Sequence, residues 1–94
     1  MGFDPYYQWL SIHPSERPAD YYRLLGINRF ESNPEVISHA ADRVMLHVRT
    51  FQHGKHSDDS QRILNELATA SRTLLNPGLK ATYDQELKIG RAHV

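Results

Sequence analysis

The sequence predicts an all-helical domain, an antiparallel hairpin of two long helices braced by short helices. Three observations predict it. Apolar residues recur at three- and four-residue spacing in two long segments. Asx residues followed by proline or by acidic residues mark helix starts, and no segment alternates apolar and polar residues as a half-buried strand does. The 94 residues suffice for one compact domain with a small, shared core.

The first short helix is expected at residues 5–10. Asp4 is a favourable N-cap, and Pro5 suits the first helical position because its missing N–H is not needed there. Residues 11–18 contain two prolines and are expected to be a connecting loop. Trp9 and the tyrosines beside it are expected to close the domain's own core, although such aromatic residues also mark interfaces.

The second short helix is expected at residues 21–25, after Asp20 as its N-cap. Gly26 follows and is predicted to end this helix in the left-handed conformation. So short a helix is unstable alone because nucleation is costly, and it has to dock on the long helices through Tyr22 and Leu25.

The first long helix is expected to start at Asn33-Pro34-Glu35 and to run to about Phe51. One apolar stripe is predicted to face the core: Ile37, Ala40, Ala41, Val44, Val48 and Phe51. On or beside the opposite face lie four polar residues: Asp42, Arg43, His47 and Arg49. Residues 52–57 are the expected hairpin loop.

The second long helix is expected to begin near Asp58, with Gln61 as its capping-box partner. Its predicted core stripe is Leu64, Leu67, Ala68, Ser71, Leu74 and Leu75. Asn76-Pro77 then predicts a break and a new helix start. In the last helix, Leu79, Tyr83 and Leu87 follow at four-residue steps and are expected to face the core.

The composition restricts the classes of function. Eleven basic and eleven acidic residues give zero net charge, which argues against a nucleic-acid-binding domain and against a membrane-surface helix. Without cysteine the chain has neither disulfides nor thiolate zinc sites. There is no apolar run long enough to span a bilayer and no secretory signal pattern, so a cytoplasmic location is the expectation.

Two motifs give the chain a family resemblance. Residues 20–27, DYYRLLGI, resemble the opening helix of a DnaJ-like J-domain, and residues 74–84, LLNPGLKATYD, resemble that family's closing pattern. The resemblance covers roughly residues 20–87 and implies a J-domain-like fold. The resemblance implies a structural role for five of the matching residues: Tyr22, Leu25, Gly26, Pro77 and Tyr83.

The segment between the motifs departs from the family. J-domains carry His-Pro-Asp after the first long helix and use it to trigger ATP hydrolysis in a DnaK-type chaperone. The corresponding residues here are Arg49-Thr50-Phe51 and then 52–57, and His-Pro-Asp occurs nowhere in the chain. His13-Pro14-Ser15 precedes the first J-like helix and cannot replace it. The family's first long helix is also usually lysine-rich, whereas this one mixes basic residues with Asp42.

Residues 1–19 form an extension that J-domains lack. Together with the loop at 51–57, they make the chain similar to the N-terminal modules of large bacterial multidomain proteins, so residues 20–88 are expected to be the J-like domain of such a protein. Residues 89–94 are similar to a translated sequencing adapter and are expected to be a non-native tail, with an ordinary frayed end as the alternative.

The resulting functional prediction is a non-catalytic, cofactor-free scaffold or protein-binding module. Its expected partner-binding residues are Arg43, His47, Arg49, Lys55 and His56. The alternative is a divergent co-chaperone that regulates a DnaK-type chaperone.

Three kinds of site remain weaker hypotheses. A zinc-type site could form from the histidines at 47, 53 and 56, but a glycine-containing loop clamps a metal poorly. A catalytic triad could draw on residues 56–60, although neighbours in sequence rarely reach triad geometry, and capping by Ser57 or Asp58 explains those residues more simply. Lys55 near a helix start could hold a phosphate, but no glycine-rich run accompanies it.

Overall fold

Helices dominate the part of the chain that the computed structural model describes, residues 2–90. They are α1 (Pro5–Leu10), α2 (Tyr21–Leu25), α3 (Pro34–Arg49), α4 (Ser57–Leu75) and α5 (Pro77–Lys88), with a 3-10 turn at Pro14–Glu16. Within residues 2–90 there is no strand. The all-helical prediction is therefore confirmed.

The two longest helices, α3 and α4, pack against each other and form the centre of the molecule. The end of α3 lies beside the start of α4, where the buried Ser60 hydroxyl donates a hydrogen bond of 2.9 Å to the carbonyl oxygen of Val48. Helices α2 and α5 also pack on α4, and α1 packs on α3. Helix α4 is therefore covered from several sides.

Four helix starts have the caps that the sequence predicts. In each case an Asx side chain accepts a hydrogen bond from a backbone N–H in the first turn, which satisfies a donor that the helix itself leaves unpaired. The capping residues are Asp4 for α1, Asp20 for α2, Asn33 for α3 and Asn76 for α5.

The predicted start of α4 is confirmed to within one residue, but the predicted caps are wrong. Helix α4 begins at Ser57, and no side chain caps it, so the capping roles expected of Ser57 and Asp58 are not filled. Gln61 instead accepts a hydrogen bond from the side chain of Gln52 and donates one to Asn65. The Gln61 side chain, which was expected to cap the helix, is thus bound instead by Gln52 in the preceding loop and by Asn65 one turn further along α4.

Helix α3 ends two residues before the expected position. It stops at Arg49, and Phe51 lies in the turn that follows. Phe51 still packs on the core, because the turn places its ring parallel to that of Trp9, with 4.4 Å between the ring centroids.

The short helix α2 is anchored as predicted. Tyr22 and Leu25 are completely buried, and Gly26 ends the helix with a φ of 73°. Tyr83 of α5 stacks on Tyr21, and its hydroxyl oxygen accepts a 2.9 Å hydrogen bond from the Tyr21 backbone N–H. A half-buried hydrogen bond and a stacked ring pair thus attach α2 to α5.

The Tyr22 hydroxyl makes a second connection between α2 and α5 by donating to the Asp84 carboxylate, which also binds the Lys80 ammonium at 2.8 Å. Burial, followed by the neighbouring carboxylate of Asp84, raises the pKa of Tyr22 far above its usual range. Tyr22 is therefore held in its neutral form as a hydrogen-bond donor.

The predicted core stripes of α4 and α5 need correction. Ile63 and Ala70 are completely buried although neither belongs to the predicted stripe. Neighbours on several sides of α4 bury a wider arc than one stripe. Conversely, Leu75 and Leu79 are 38% and 50% exposed, because they flank the turn at Asn76 and lie outside the packed surfaces.

The N-terminal extension belongs to the same hydrophobic core as the helices that follow. Trp9, Ile12 and Ala19 are buried in one cluster with residues of α2, α3 and α4. The Tyr6 hydroxyl donates to the Glu66 carboxylate of α4, with a shortest distance of 2.6 Å. The expectation that the N-terminal aromatic residues close the core is confirmed for Trp9.

The expected non-native tail begins directly after the last helix. Helix α5 ends at Lys88, and Ile89 and Gly90 follow it. The remainder of that prediction, residues 91–94, lies outside the described part of the chain.

Candidate functional site

The candidate site is the outer face of α3, defined here by its exposed residues His39, Asp42, Arg43, Leu46, His47 and Arg49. Ile37, Ala40, Ala41 and Val48 point into the core. At 100° per residue, Leu46 lies on the side of the helix directly opposite these buried residues. The three basic residues predicted on this helix are therefore accessible, as expected of partner-binding residues.

Leu46 is the residue that the sequence analysis missed. Its side chain is 65% exposed, the largest exposure among the large apolar residues that the structure describes. Single exposed leucines are common on protein surfaces. Along the helix, Arg43 and Arg49 lie three residues before and after Leu46, and Asp42 lies four residues before it. The apolar contact point is therefore bordered by two cations and one carboxylate. Its position opposite the apolar stripe was visible in the sequence.

Basic groups concentrate between positions 43 and 57. This segment holds three Arg or Lys residues, three histidines and no acidic residue, although the whole chain is neutral. Five Arg and Lys residues within 2–90 pair with a carboxylate: Arg17, Arg23, Arg29, Arg62 and Lys80. Five others in that range form no ion pair, and three of these lie in this segment: Arg43, Arg49 and Lys55, the other two being Arg72 and Lys88. The second half of α3 and the turn after it therefore present uncompensated positive charge.

The two candidate residues of the turn have different surroundings. Lys55 is exposed. His56 is half-buried, its ring stacked on Phe3 with a centroid distance of 3.7 Å, and its Nδ1 lies 3.6 Å from the Asp59 carboxylate. Lys55 is thus open to a partner, whereas His56 is already engaged by the extension and by α4.

An aromatic cluster holds this turn in place. Trp9 stacks on Phe51 and meets the ring of Phe3 edge to face at 5.4 Å. His47 contacts Phe51 edge to face, also at 5.4 Å. The extension therefore supports the turn from inside and links it to the outer face of α3.

The geometry offers little to the catalytic and metal hypotheses. Ser60 is completely buried, and its hydroxyl is committed to the Val48 carbonyl oxygen. Nowhere in residues 2–90 do three His, Cys, Asp or Glu side chains come together as metal ligands would.

None of the helices in this range has the length and apolarity needed to cross a bilayer.

Comparison with protein-family models, with curated proteins and with solved structures finds no match for this chain. The candidate site is therefore defined by the contacts, exposure and charge of its own residues.

Proposed function

We propose that this chain is a non-catalytic protein-binding module of J-domain-like architecture, the N-terminal part of a larger bacterial scaffold protein. Its partner docks on the outer face of α3 and on the turn at 50–56. The observation that carries the proposal is Leu46, an apolar side chain 65% exposed between unpaired cations. An apolar centre with a charged rim is the usual composition of a protein–protein interface.

The charge of this surface indicates the kind of partner. Arg43, Arg49 and Lys55 lie on or directly after one helix and have no carboxylate partner within residues 2–90. An acidic protein surface would complement them, and such complementarity mainly accelerates association and selects the partner. The sequence also lacks the His-Pro-Asp trigger, which favours passive binding over chaperone stimulation.

The test is selection of ligands from a random peptide library displayed on phage, with the full chain immobilised. We expect the selected peptides to combine acidic and apolar residues. Their affinity should fall at least tenfold for Leu46→Glu, since an acidic side chain both removes the apolar contact and repels the ligand.

Leu79→Glu is the matched control, because Leu79 is also half-exposed but lies on α5. It should leave the affinity within twofold of the wild type. Equal binding to wild type and Leu46→Glu would refute the proposal, as would a library that yields no ligand.

The second candidate function is that of a divergent co-chaperone. The unpaired cations Arg43 and Lys55 favour it, because J-domains, which this sequence resembles, bind their chaperone through the same helix and turn. A steady-state ATPase assay with a DnaK-type chaperone separates the two proposals. Stimulation that is lost in Arg43→Ala or Lys55→Ala supports the co-chaperone, and no stimulation by the wild type supports the passive module.

A further inference from the structure

A cleft lies between the N-terminal extension and the second half of α3. Its volume is about 210 Å³, and Trp9 of α1, Leu24 of α2 and Val44 of α3 provide apolar walls. Trp9 and Leu24 are buried, with 8% and 2% of their surfaces exposed. The walls thus belong to the packed core, so the cleft does not depend on mobile side chains.

The ionisable side chains that line this cleft are all of basic residues. Arg23, Arg43 and His47 line it, and no acidic residue does. The guanidinium of Arg23 is occupied by Glu16 at 2.9 Å and by the Ser11 carbonyl oxygen at 2.8 Å. Arg43, in contrast, is exposed and has no ion pair within residues 2–90. The cleft therefore combines apolar walls with one available guanidinium.

The size of the cleft restricts what can fill it. Pockets for drug-sized molecules have volumes of about 300–1,000 Å³, and this one is smaller. It can take one apolar side chain and leave a neighbouring carboxylate at its mouth, within reach of Arg43. An arginine is the residue best suited to receive that carboxylate, because its fork of donors matches the two oxygens.

We infer that this cleft receives an apolar side chain of the partner protein, with an adjacent Asp or Glu carboxylate bound by Arg43. The inference rests on the proposed function and extends it by naming the sequence that the partner presents. It also gives the extension a direct role in binding, since Trp9 forms one wall and would contact the bound side chain.

Trp9 supplies the assay, because it is the only tryptophan of the chain. Its fluorescence is followed while the full-length protein is titrated at one pH with the blocked peptide Ac-GSLEGS-NH2. A saturable change in emission is expected. The analogues Ac-GSLQGS-NH2, without the carboxylate, and Ac-GSAEGS-NH2, without the large apolar group, should each bind at least fivefold more weakly.

Two variants test the named contacts. Arg43→Gln should weaken binding of the leucine–glutamate peptide about fivefold, the factor expected for one exposed ion pair. Arg72→Gln is the matched control, since Arg72 is an exposed arginine of α4 that forms no ion pair within residues 2–90 and does not line the cleft, and it should bind like the wild type. Val44→Phe, which fills the cleft and leaves the charges intact, should abolish the change in emission while circular dichroism shows the same helix content.

The inference is overturned if the peptide produces no saturable change, or if Arg43→Gln and Arg72→Gln bind it equally well. Binding of the library-selected ligand to Leu46→Glu and to Val44→Phe distinguishes failure of the cleft inference from failure of the proposed function. A library-selected ligand that depends on Leu46 but binds Val44→Phe normally would leave the proposed function standing and refute the cleft. Loss of binding in both variants supports a partner that covers the outer face and the cleft together.

Discussion

Replacement of Trp9 by alanine tests whether the N-terminal extension is part of the core. Trp9 is 8% exposed and stacks on Phe51. A buried aromatic side chain removes about 150–250 Å² from water, which at about 25 cal/mol per Å² corresponds to about 4–6 kcal/mol as an upper estimate. Truncations of this kind cost about 3–5 kcal/mol, so we expect Trp9→Ala to lower the free energy of unfolding by about 4 kcal/mol.

That loss is large beside the whole stability of the domain. A chain of 94 residues has a free energy of unfolding of about 5–14 kcal/mol at the usual value per residue. Urea unfolding followed by far-ultraviolet circular dichroism measures the change without the tryptophan signal. The variant should either unfold at much lower urea concentration or be partly unfolded in buffer.

Tyr7→Ala is the control on the same helix. Tyr7 is 51% exposed, and its ring approaches that of His13 edge to face at 6.0 Å. Its replacement should change the free energy of unfolding by about 0.5 kcal/mol or less. If Trp9→Ala costs no more than Tyr7→Ala, then α1 is not part of the cooperative unit, and the burial argument fails.

Two further predictions concern the junction of α2 and α5. Tyr22→Phe removes a buried hydroxyl that donates a hydrogen bond to the Asp84 carboxylate. The free energy of unfolding, measured in urea, should therefore fall by about 2 kcal/mol, the value typical of hydrogen bonds to charged groups. A loss below about 0.5 kcal/mol would contradict the role of that bond. Burial raises the pKa of Tyr83 from 10.0 to about 12. The contribution of Tyr83 to the free energy of unfolding is therefore complete below pH 10, where its hydroxyl is neutral in both the folded and the unfolded protein. It is lost as the pH rises through 12, because Tyr83 ionises at lower pH in the unfolded chain than in the folded one. Urea unfolding across this range should show a shallower decline for Tyr83→Phe than for the wild type, and parallel declines would refute the assignment.

Helix starts were predictable because they depend on neighbouring residues. Asp20, Asn33 and Asn76 each cap the helix that follows within a few residues, and Gly26 takes the left-handed conformation at the end of α2. The missing cap of α4 was not predictable in this way. Its polar residues had partners elsewhere, since Gln61 binds Gln52 across the turn.

The candidate site was only partly predictable. The exposure of Arg43, Arg49 and Lys55 follows from the helical spacing and from the cost of burying a charge. The position of His56 does not, because its stacking partner Phe3 lies far away in the sequence. Leu46 was not predicted as part of the site, although its position opposite the apolar stripe follows from the helical spacing.

The sequence by itself determined the helical class, the caps of four helices and the concentration of basic residues at positions 43–57, since each of these depends on local spacing or on composition. Only the tertiary structure decided that the extension belongs to the core and that a cleft forms between Trp9 and Val44. The physical reason is that side-chain packing joins residues distant in the chain, and its geometry depends on how whole helices fit together. Local pattern limits which face of a helix is buried, but it does not name the residues that cover it.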